Sequence, residues 1–113
     1  MIARRLATSA ALFLLAGLLE IGGGYLVWLW LRQGRGVALG LAGMAALALY
    51  GVVPVFQGTE QPFGRLYAAY GGVFIALSML WGWGVDGHRP DARDVAGAAV
   101  CLVGATIMLW PRS

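Results

Sequence analysis

Four long apolar runs, separated by short polar segments, dominate the pattern of the chain. The runs cover residues 6–31, 37–56, 66–85 and 92–110. About 20 consecutive apolar residues are enough for an α-helix to cross the hydrocarbon core of a bilayer, so each run predicts a transmembrane helix. The segments between the runs contain glycine, proline and charged residues, which are typical of turns. The pattern therefore predicts an all-α membrane protein, with residues 1–113 forming a single integral membrane domain.

The composition agrees with a lipid environment. Of the 113 residues, 60% are hydrophobic and 12% are charged, whereas soluble domains carry about 25% charged residues. The eight basic residues are all arginines, scattered in ones and twos, which argues against a nucleic-acid-binding surface. One cysteine and one histidine exclude an internal disulfide framework and the usual zinc spacings. We therefore expect no metal site and no cofactor.

The first run resembles a signal peptide at its start, because Arg4 and Arg5 precede an apolar stretch. It continues too far for a cleaved segment, however, and we interpret it as a permanent span. Tryptophans near the predicted helix ends support this interpretation, since indole rings favour the headgroup region. An alternative is that some of them line a ligand site. They are Trp28, Trp30, Trp81, Trp83 and Trp110.

The arginines show no bias toward either side of the membrane. Four spans place Arg4, Arg5, Arg65 and Arg112 on the side of the termini, and Arg32, Arg35, Arg89 and Arg93 on the other side. Because an excess of Lys and Arg normally fixes the cytoplasmic side, the balance favours dual topology, with copies inserted both ways and paired antiparallel. The alternative is one topology fixed by folding or by a partner.

Glu20 is the ionisable residue in the middle of the first span. A charge at that depth costs about 2.5–3.5 kcal/mol on insertion scales, and no Lys, Arg or His lies in the interior of the predicted spans. The carboxyl group therefore needs a proton, a bound cation or a polar partner. We interpret Glu20 as a proton- and cation-binding residue; the alternative is a protonated structural acid bonded to a neighbouring helix.

Small residues surround Glu20 on the helix surface. Ala16 and Gly17 lie one turn before it, and Gly23 and Gly24 lie one turn after it, so all four share its side of the helix. Such a surface leaves room for a ligand. It is equally typical of close helix packing in membranes, and the sequence leaves both possibilities open.

The third span predicts an aromatic stripe, because Tyr67, Tyr70, Phe74 and Ser78 recur at helical spacing. Aromatic faces attract desolvated cations, so the stripe and Glu20 together favour a cation pocket, although aromatic stripes also occur in plain packing. Gly71 and Gly72 interrupt this helix and predict a conformational hinge.

The fourth span carries Gly97 and Gly104, seven residues apart, which suits a helix–helix seam. Asp91 and Asp94 precede its apolar part and predict a helix N-cap. We interpret His88, in the preceding loop, as a solvated residue.

Several runs of this chain closely resemble the YnfA family of small bacterial inner-membrane proteins. They cover nearly the whole chain: Glu20-Ile21-Gly22-Gly23, Tyr25 to Arg32, Leu49-Tyr50-Gly51, Phe63-Gly64-Arg65, Tyr67 to Ile75, Asp86-Gly87 and Pro111-Arg112.

The YnfA family is in turn similar to the small multidrug resistance (SMR) transporters, four-helix antiparallel dimers that exchange protons for cationic compounds. This resemblance implies that Glu20 binds proton and substrate alternately and that Tyr67 and Tyr70 line the substrate chamber. It also places Gly71 and Gly72 at a kink in helix three and makes the fourth span the dimerisation helix. The chain departs from the classical members at Tyr70, where they have tryptophan.

These observations predict a proton-coupled exporter of small organic cations in the bacterial inner membrane, working as an antiparallel homodimer of SMR-like fold. One rival hypothesis is a transporter of another solute, such as guanidinium-like metabolites or polyamines. The alternative is a small structural or regulatory membrane subunit. We expect no enzymatic activity, because no nucleophile–base pair is present and Gly22-Gly23-Gly24 lies within a span instead of a phosphate-binding loop.

Overall fold

The computed structural model describes residues 2–57 and 62–110, and these residues form four α-helices, one short 3-10 helix and no strand. The α-helices are α1 (Ile2–Leu31), α2 (Val37–Val52), α3 (Phe63–Gly84) and α4 (Ala92–Leu109). The 3-10 helix, Val53–Phe56, continues α2, and with it the second span covers Val37–Phe56. All four spans are long and apolar enough to cross a membrane. The predicted all-helical, four-span fold is thus confirmed.

The chain divides by contacts into two compact units, Met1–Gly58 and Thr59–Ser113. In the first unit α1 packs against α2 and the 3-10 helix. In the second unit α3 packs against α4. Each unit is therefore a helical hairpin, called here the first hairpin and the second hairpin.

The first hairpin turns through two glycines with positive φ angles, Gly34 (63°) and Gly36 (113°). The final carbonyl groups of α1 remain bonded, because the backbone N–H of Arg32 donates to Trp28 O and that of Arg35 donates to Leu29 O. A left-handed glycine after the last helical turn allows the chain to close back in this way. The turn therefore needs glycine at residue 34.

The two helices of the second hairpin begin at residues that favour the start of a helix. Pro62 precedes α3 in an extended conformation, and α3 begins at Phe63, before the run predicted from residue 66. At the start of α4 the backbone N–H of Asp94 donates to Asp91 Oδ1 at 2.8 Å, and the N–H of Asp91 donates to Asp94 Oδ2 at 3.1 Å. This is a reciprocal capping box, and it confirms the predicted N-cap.

Most large apolar side chains lie on the outer surface of the hairpins. Val100 is 71% exposed and Ile107 is 66% exposed, an arrangement that is unfavourable in water and normal against lipid chains. The buried apolar residues are few and include small ones: Phe13, Ala16, Val53, Leu66, Ala69, Tyr70 and Ala105.

Candidate functional site

Glu20 lies in the continuous helix α1 and is half-buried. On its side of the helix Ala16 is only 1% exposed, and Gly17 is buried as well. Gly23 is buried, whereas Gly24 is exposed. The surface of small residues around Glu20 is therefore covered, at three of its four positions, by other parts of the protein.

The covering element at Gly23 is helix α2. A Cβ atom placed on Gly23 would lie 2.8 Å from the carbonyl oxygen of Gly43, and one placed on Gly43 would lie 2.5 Å from the carbonyl oxygen of Gly23. The two backbones thus meet without an intervening side chain, as small residues permit in membrane helix pairs. Nothing described lies within 4 Å of a Cβ built on Gly24. The sequence left two interpretations of these glycines open. Close packing applies at Gly23, and open space applies at Gly24.

A second contact joins the other ends of these helices. The side-chain amide of Gln57, just after the 3-10 helix, donates to the carbonyl oxygen of Ser9 in α1 at 3.2 Å. Gln57 is 9% exposed, so this hydrogen bond satisfies a largely buried polar group. Gln57 is not predicted as a packing residue from the sequence, because a glutamine at the end of an apolar run is also typical of a loop.

The C-terminal end of α1 is held by aromatic contacts. The Trp30 ring fills the space that a side chain at position 40 would need, so Gly40 lets α2 approach it closely. The Arg32 guanidinium lies over the Trp28 ring, with Cζ 4.6 Å from the ring centroid, within the range of a cation–π interaction. Trp28 is 47% exposed, which suits the predicted headgroup location.

Four aromatic residues of α3 form a row of neighbouring rings. The ring centroids are 4.2 Å apart for Phe63 and Tyr67, 6.5 Å for Tyr67 and Tyr70, and 6.1 Å for Tyr70 and Phe74. Tyr70 is 6% exposed. The row includes the three aromatic residues singled out in the sequence and adds Phe63, which helical spacing from Tyr67 could have indicated. Their role in binding a substrate stays a prediction.

Gly71 and Gly72 lie within the continuous helix α3, and their surroundings differ. A Cβ on Gly72 would lie 2.6 Å from the carbonyl oxygen of Cys101 and 3.0 Å from Ala105 Cβ, both in α4. Nothing described lies within 4 Å of a Cβ on Gly71. Gly72 therefore has a packing function that the sequence did not reveal. A hinge at these glycines stays a prediction, and Gly71 is the better placed of the two to bend.

The predicted seam residues of α4 make no close contact within the second hairpin. Nothing described lies within 4 Å of a Cβ built on Gly97 or on Gly104. Their surface is open to lipid or to another chain, and a role in dimerisation stays a prediction.

The predicted site residues thus fall in different hairpins. Glu20 belongs to the first hairpin, and the row Tyr67, Tyr70 and Phe74 belongs to the second. Within residues 2–57 and 62–110 no three His, Cys, Asp or Glu residues are grouped so that they could hold a metal ion. The first hairpin thus offers a carboxyl group within a span, and the second hairpin offers a row of aromatic rings.

Four spanning helices, apolar outer faces and a carboxyl group inside a span define a multi-pass membrane protein. The chain belongs to the family described as "Uncharacterised BCR, YnfA/UPF0060 family", whose model matches residues 6–113. The resemblance drawn from the sequence is thereby confirmed at the level of this family.

The curated relatives are bacterial and are named as membrane proteins. A UPF0060 membrane protein of Halalkalibacterium halodurans is 65% identical over 102 residues, which cover 90% of this chain and 94% of the relative. The UPF0060 membrane protein YfjF of Bacillus subtilis is 57% identical over 99 residues, covering 88% and 90%. No solved structure matches the chain. The protein is therefore a multi-pass bacterial membrane protein.

Proposed function

We propose that this protein is a proton-coupled antiporter that exports small organic cations across the bacterial inner membrane and has no enzymatic activity. The observation that carries the proposal is Glu20, a half-buried carboxyl group in the middle of a transmembrane helix. Ionisable residues at such positions are costly and mark ion pathways or proton relays in membrane proteins. The resemblance to the SMR transporters supports the same function.

The proposed mechanism is competition for one carboxyl group. Ionised Glu20 binds a cation from the cytoplasmic side, and a proton taken up from the outside displaces the cation there. Because the carboxyl group carries either the proton or the substrate, the two fluxes are coupled in opposite directions. Lowering the pH should therefore weaken cation binding. The aromatic rings of α3 would contribute attraction for the cation through their π faces.

The proposed assembly is an antiparallel homodimer. The equal distribution of arginines supports insertion in both directions, and the open surface at Gly97 and Gly104 supports a contact through α4. Two copies would bring two Glu20 carboxyl groups to one transport pathway, where a single cation could be shared.

The test is proton flux in liposomes containing the purified protein. Tetraphenylphosphonium, guanidinium and spermidine serve as probe cations, and Glu20→Gln is compared with the wild type. We expect at least one cation to drive proton flux in the wild type and the flux to be lost in Glu20→Gln. Asp86→Asn is the matched control, because it removes a carboxylate in the exposed turn after α3, and it should transport normally.

A second candidate function is a small structural or regulatory subunit of a larger membrane assembly. The open glycine surface of α4 favours it, since such a surface also suits a different partner chain. Under this hypothesis Glu20→Gln leaves assembly and function intact. Wild-type protein that is folded and dimeric but passes no proton with any of the three cations would contradict the antiporter and favour the subunit.

A further inference from the structure

Helical spacing places Tyr50 on the surface of α2 that faces α1. Steps of three or four residues lead along this surface from Gly43, which meets Gly23, through Tyr50 to the buried Val53 and then to Gln57, which bonds Ser9. Tyr50 itself is half-buried. It is the one hydroxyl-bearing residue in the second span, residues 37–56.

Two contacts fix the register of the first hairpin. Between Ser9 and Gly23 the chain of α1 advances by 14 residues, and between their partners Gln57 and Gly43 the second span goes back by 14. Residues of α1 and α2 that lie opposite each other between these contacts can therefore be identified by counting from either contact. Glu20 pairs with Ala46, whose Cβ lies 3.2 Å from a Cβ built on Gly23. Tyr50 pairs with Ala16, one helical turn from Glu20.

Helix geometry directs the side chains of Glu20 and Tyr50 toward each other along the helix axes. Long side chains in an α-helix point back toward the N-terminus of their own helix. For Glu20 this direction leads toward Ala16, the level of Tyr50. Because α2 runs antiparallel to α1, the same rule directs Tyr50 toward Ala46, the level of Glu20.

The residues between Glu20 and Tyr50 leave space for the two side chains to approach each other. Ala16 and Gly17, at the level of Tyr50, are buried and carry at most a methyl group. A phenol ring can lie over such a surface with its hydroxyl group beyond it. The other ionisable side chains of residues 2–57 are Tyr25 near Glu20 along α1 and the arginines at the two ends of that helix, Arg4, Arg5, Arg32 and Arg35.

We infer that the hydroxyl group of Tyr50 is a second polar group of the Glu20 site, where it donates a hydrogen bond to the carboxylate. An ionised carboxylate has two oxygens and about four lone-pair positions, so it can accept from the phenol and still contact a cation. The bond would hold the carboxylate in place within the membrane span. The effect on cation binding rests on the proposed antiporter function, whereas the hydrogen bond does not.

The test is Tyr50→Phe, which keeps the ring and removes only the hydroxyl group. The matched control is Tyr25→Phe, because Tyr25 is half-buried like Tyr50 and lies five residues after Glu20, on another side of α1. Infrared spectra of the protein in nanodiscs identify the carboxylate band of Glu20 as the band lost in Glu20→Gln. Binding of tetraphenylphosphonium is measured on the same samples.

We expect the Glu20 carboxylate band to change frequency in Tyr50→Phe and to stay in place in Tyr25→Phe. Cation binding should weaken about tenfold in Tyr50→Phe, a loss typical of removing a group that orients a cation-binding carboxylate. An unchanged band in Tyr50→Phe, or an equal change in Tyr25→Phe, overturns the inference. The infrared band reports on the hydrogen bonding of the carboxylate whether or not the protein transports a cation. A protein that moves no cation would contradict the antiporter, and the infrared result would still decide the role of Tyr50.

Discussion

Gly23 and Gly43 bring the backbones of α1 and α2 into direct contact, each with its carbonyl oxygen in the space that a side chain on the other would occupy. The contact lies one helical turn after Glu20, so the packing of these two glycines determines how α2 stands beside the carboxyl group. Around Gly43 the contact is completed by Leu26 and Val27, whose side chains lie 2.9 and 3.1 Å from the built Cβ.

Substitution Gly43→Ala should destabilise the protein by about 1–3 kcal/mol, the usual cost of overpacking. The added methyl group meets backbone atoms of Gly23, which cannot rotate away as a side chain can. Thermal unfolding in detergent measures the effect. Gly24→Ala is the control, since its position is open and alanine favours the helix by about 0.5–1 kcal/mol. Equal unfolding temperatures for the two variants would contradict the close approach.

Gly71 and Gly72 should respond differently to the same substitution. Gly72→Ala places a methyl group against the carbonyl oxygen of Cys101 and should lower the unfolding temperature. Gly71→Ala enters open space and should leave the unfolding temperature unchanged or raise it. If Gly71 is the hinge of α3, the more rigid variant transports cations more slowly while it stays folded. Wild-type flux in Gly71→Ala would argue against a hinge at this residue.

Gln57 should be more sensitive to an introduced charge than to the loss of its hydrogen bond. Gln57→Leu removes the amide that donates to Ser9 and should cost about 1 kcal/mol. Gln57→Glu should cost more at neutral pH, because an ionised carboxylate faces the Ser9 carbonyl and has no proton to donate.

The pH dependence separates the two Gln57 variants. The introduced carboxyl group can donate once it is protonated, so the deficit of Gln57→Glu should shrink as the pH falls toward about 4 and grow as the pH rises. The deficit of Gln57→Leu should not follow this trend. Unfolding temperatures between pH 4 and 8 provide the measurement, and parallel curves for the two variants would refute the explanation.

Asp91 should stabilise the start of α4 through its capping hydrogen bond to the Asp94 N–H, 2.8 Å long. Asp91→Ala removes this bond and should cost about 1 kcal/mol, the typical value for an N-cap. Hydrogen exchange of the first amides of α4 should become faster. Asp86→Ala, which removes a carboxylate from the exposed turn of the same loop, should leave these amides protected.

The features predicted correctly from the sequence are local ones. A run such as residues 37–56 shows its helical span by apolar length alone, and Asp91 and Asp94 predict a cap because both partners lie within one turn. The contacts that were missed join residues far apart in the chain. Gly43 and Gln57 acquire their roles from Gly23 and Ser9, and no pattern within the second span indicates that register.

Neighbouring glycines illustrate the same limit. Gly23 and Gly24 differ by about 100° around the helix axis, and only the position of α2 makes one a packing residue and leaves the other in open space. Gly71 and Gly72 are separated in the same way by the position of α4. The sequence shows that such residues are small. It does not show which of them lies on the side of the helix that the neighbouring helix covers.

The hydrogen bond between Gln57 and Ser9 and the approach of Gly23 to Gly43 lie 14 residues apart along α1, or about 21 Å at the helical rise. Two helices held together at one contact can rotate about it, whereas helices held at two separated contacts move together. Sliding α1 along α2 would break both contacts at once. The conformational change that the proposed exchange requires is therefore expected to move the first hairpin as a single rigid body.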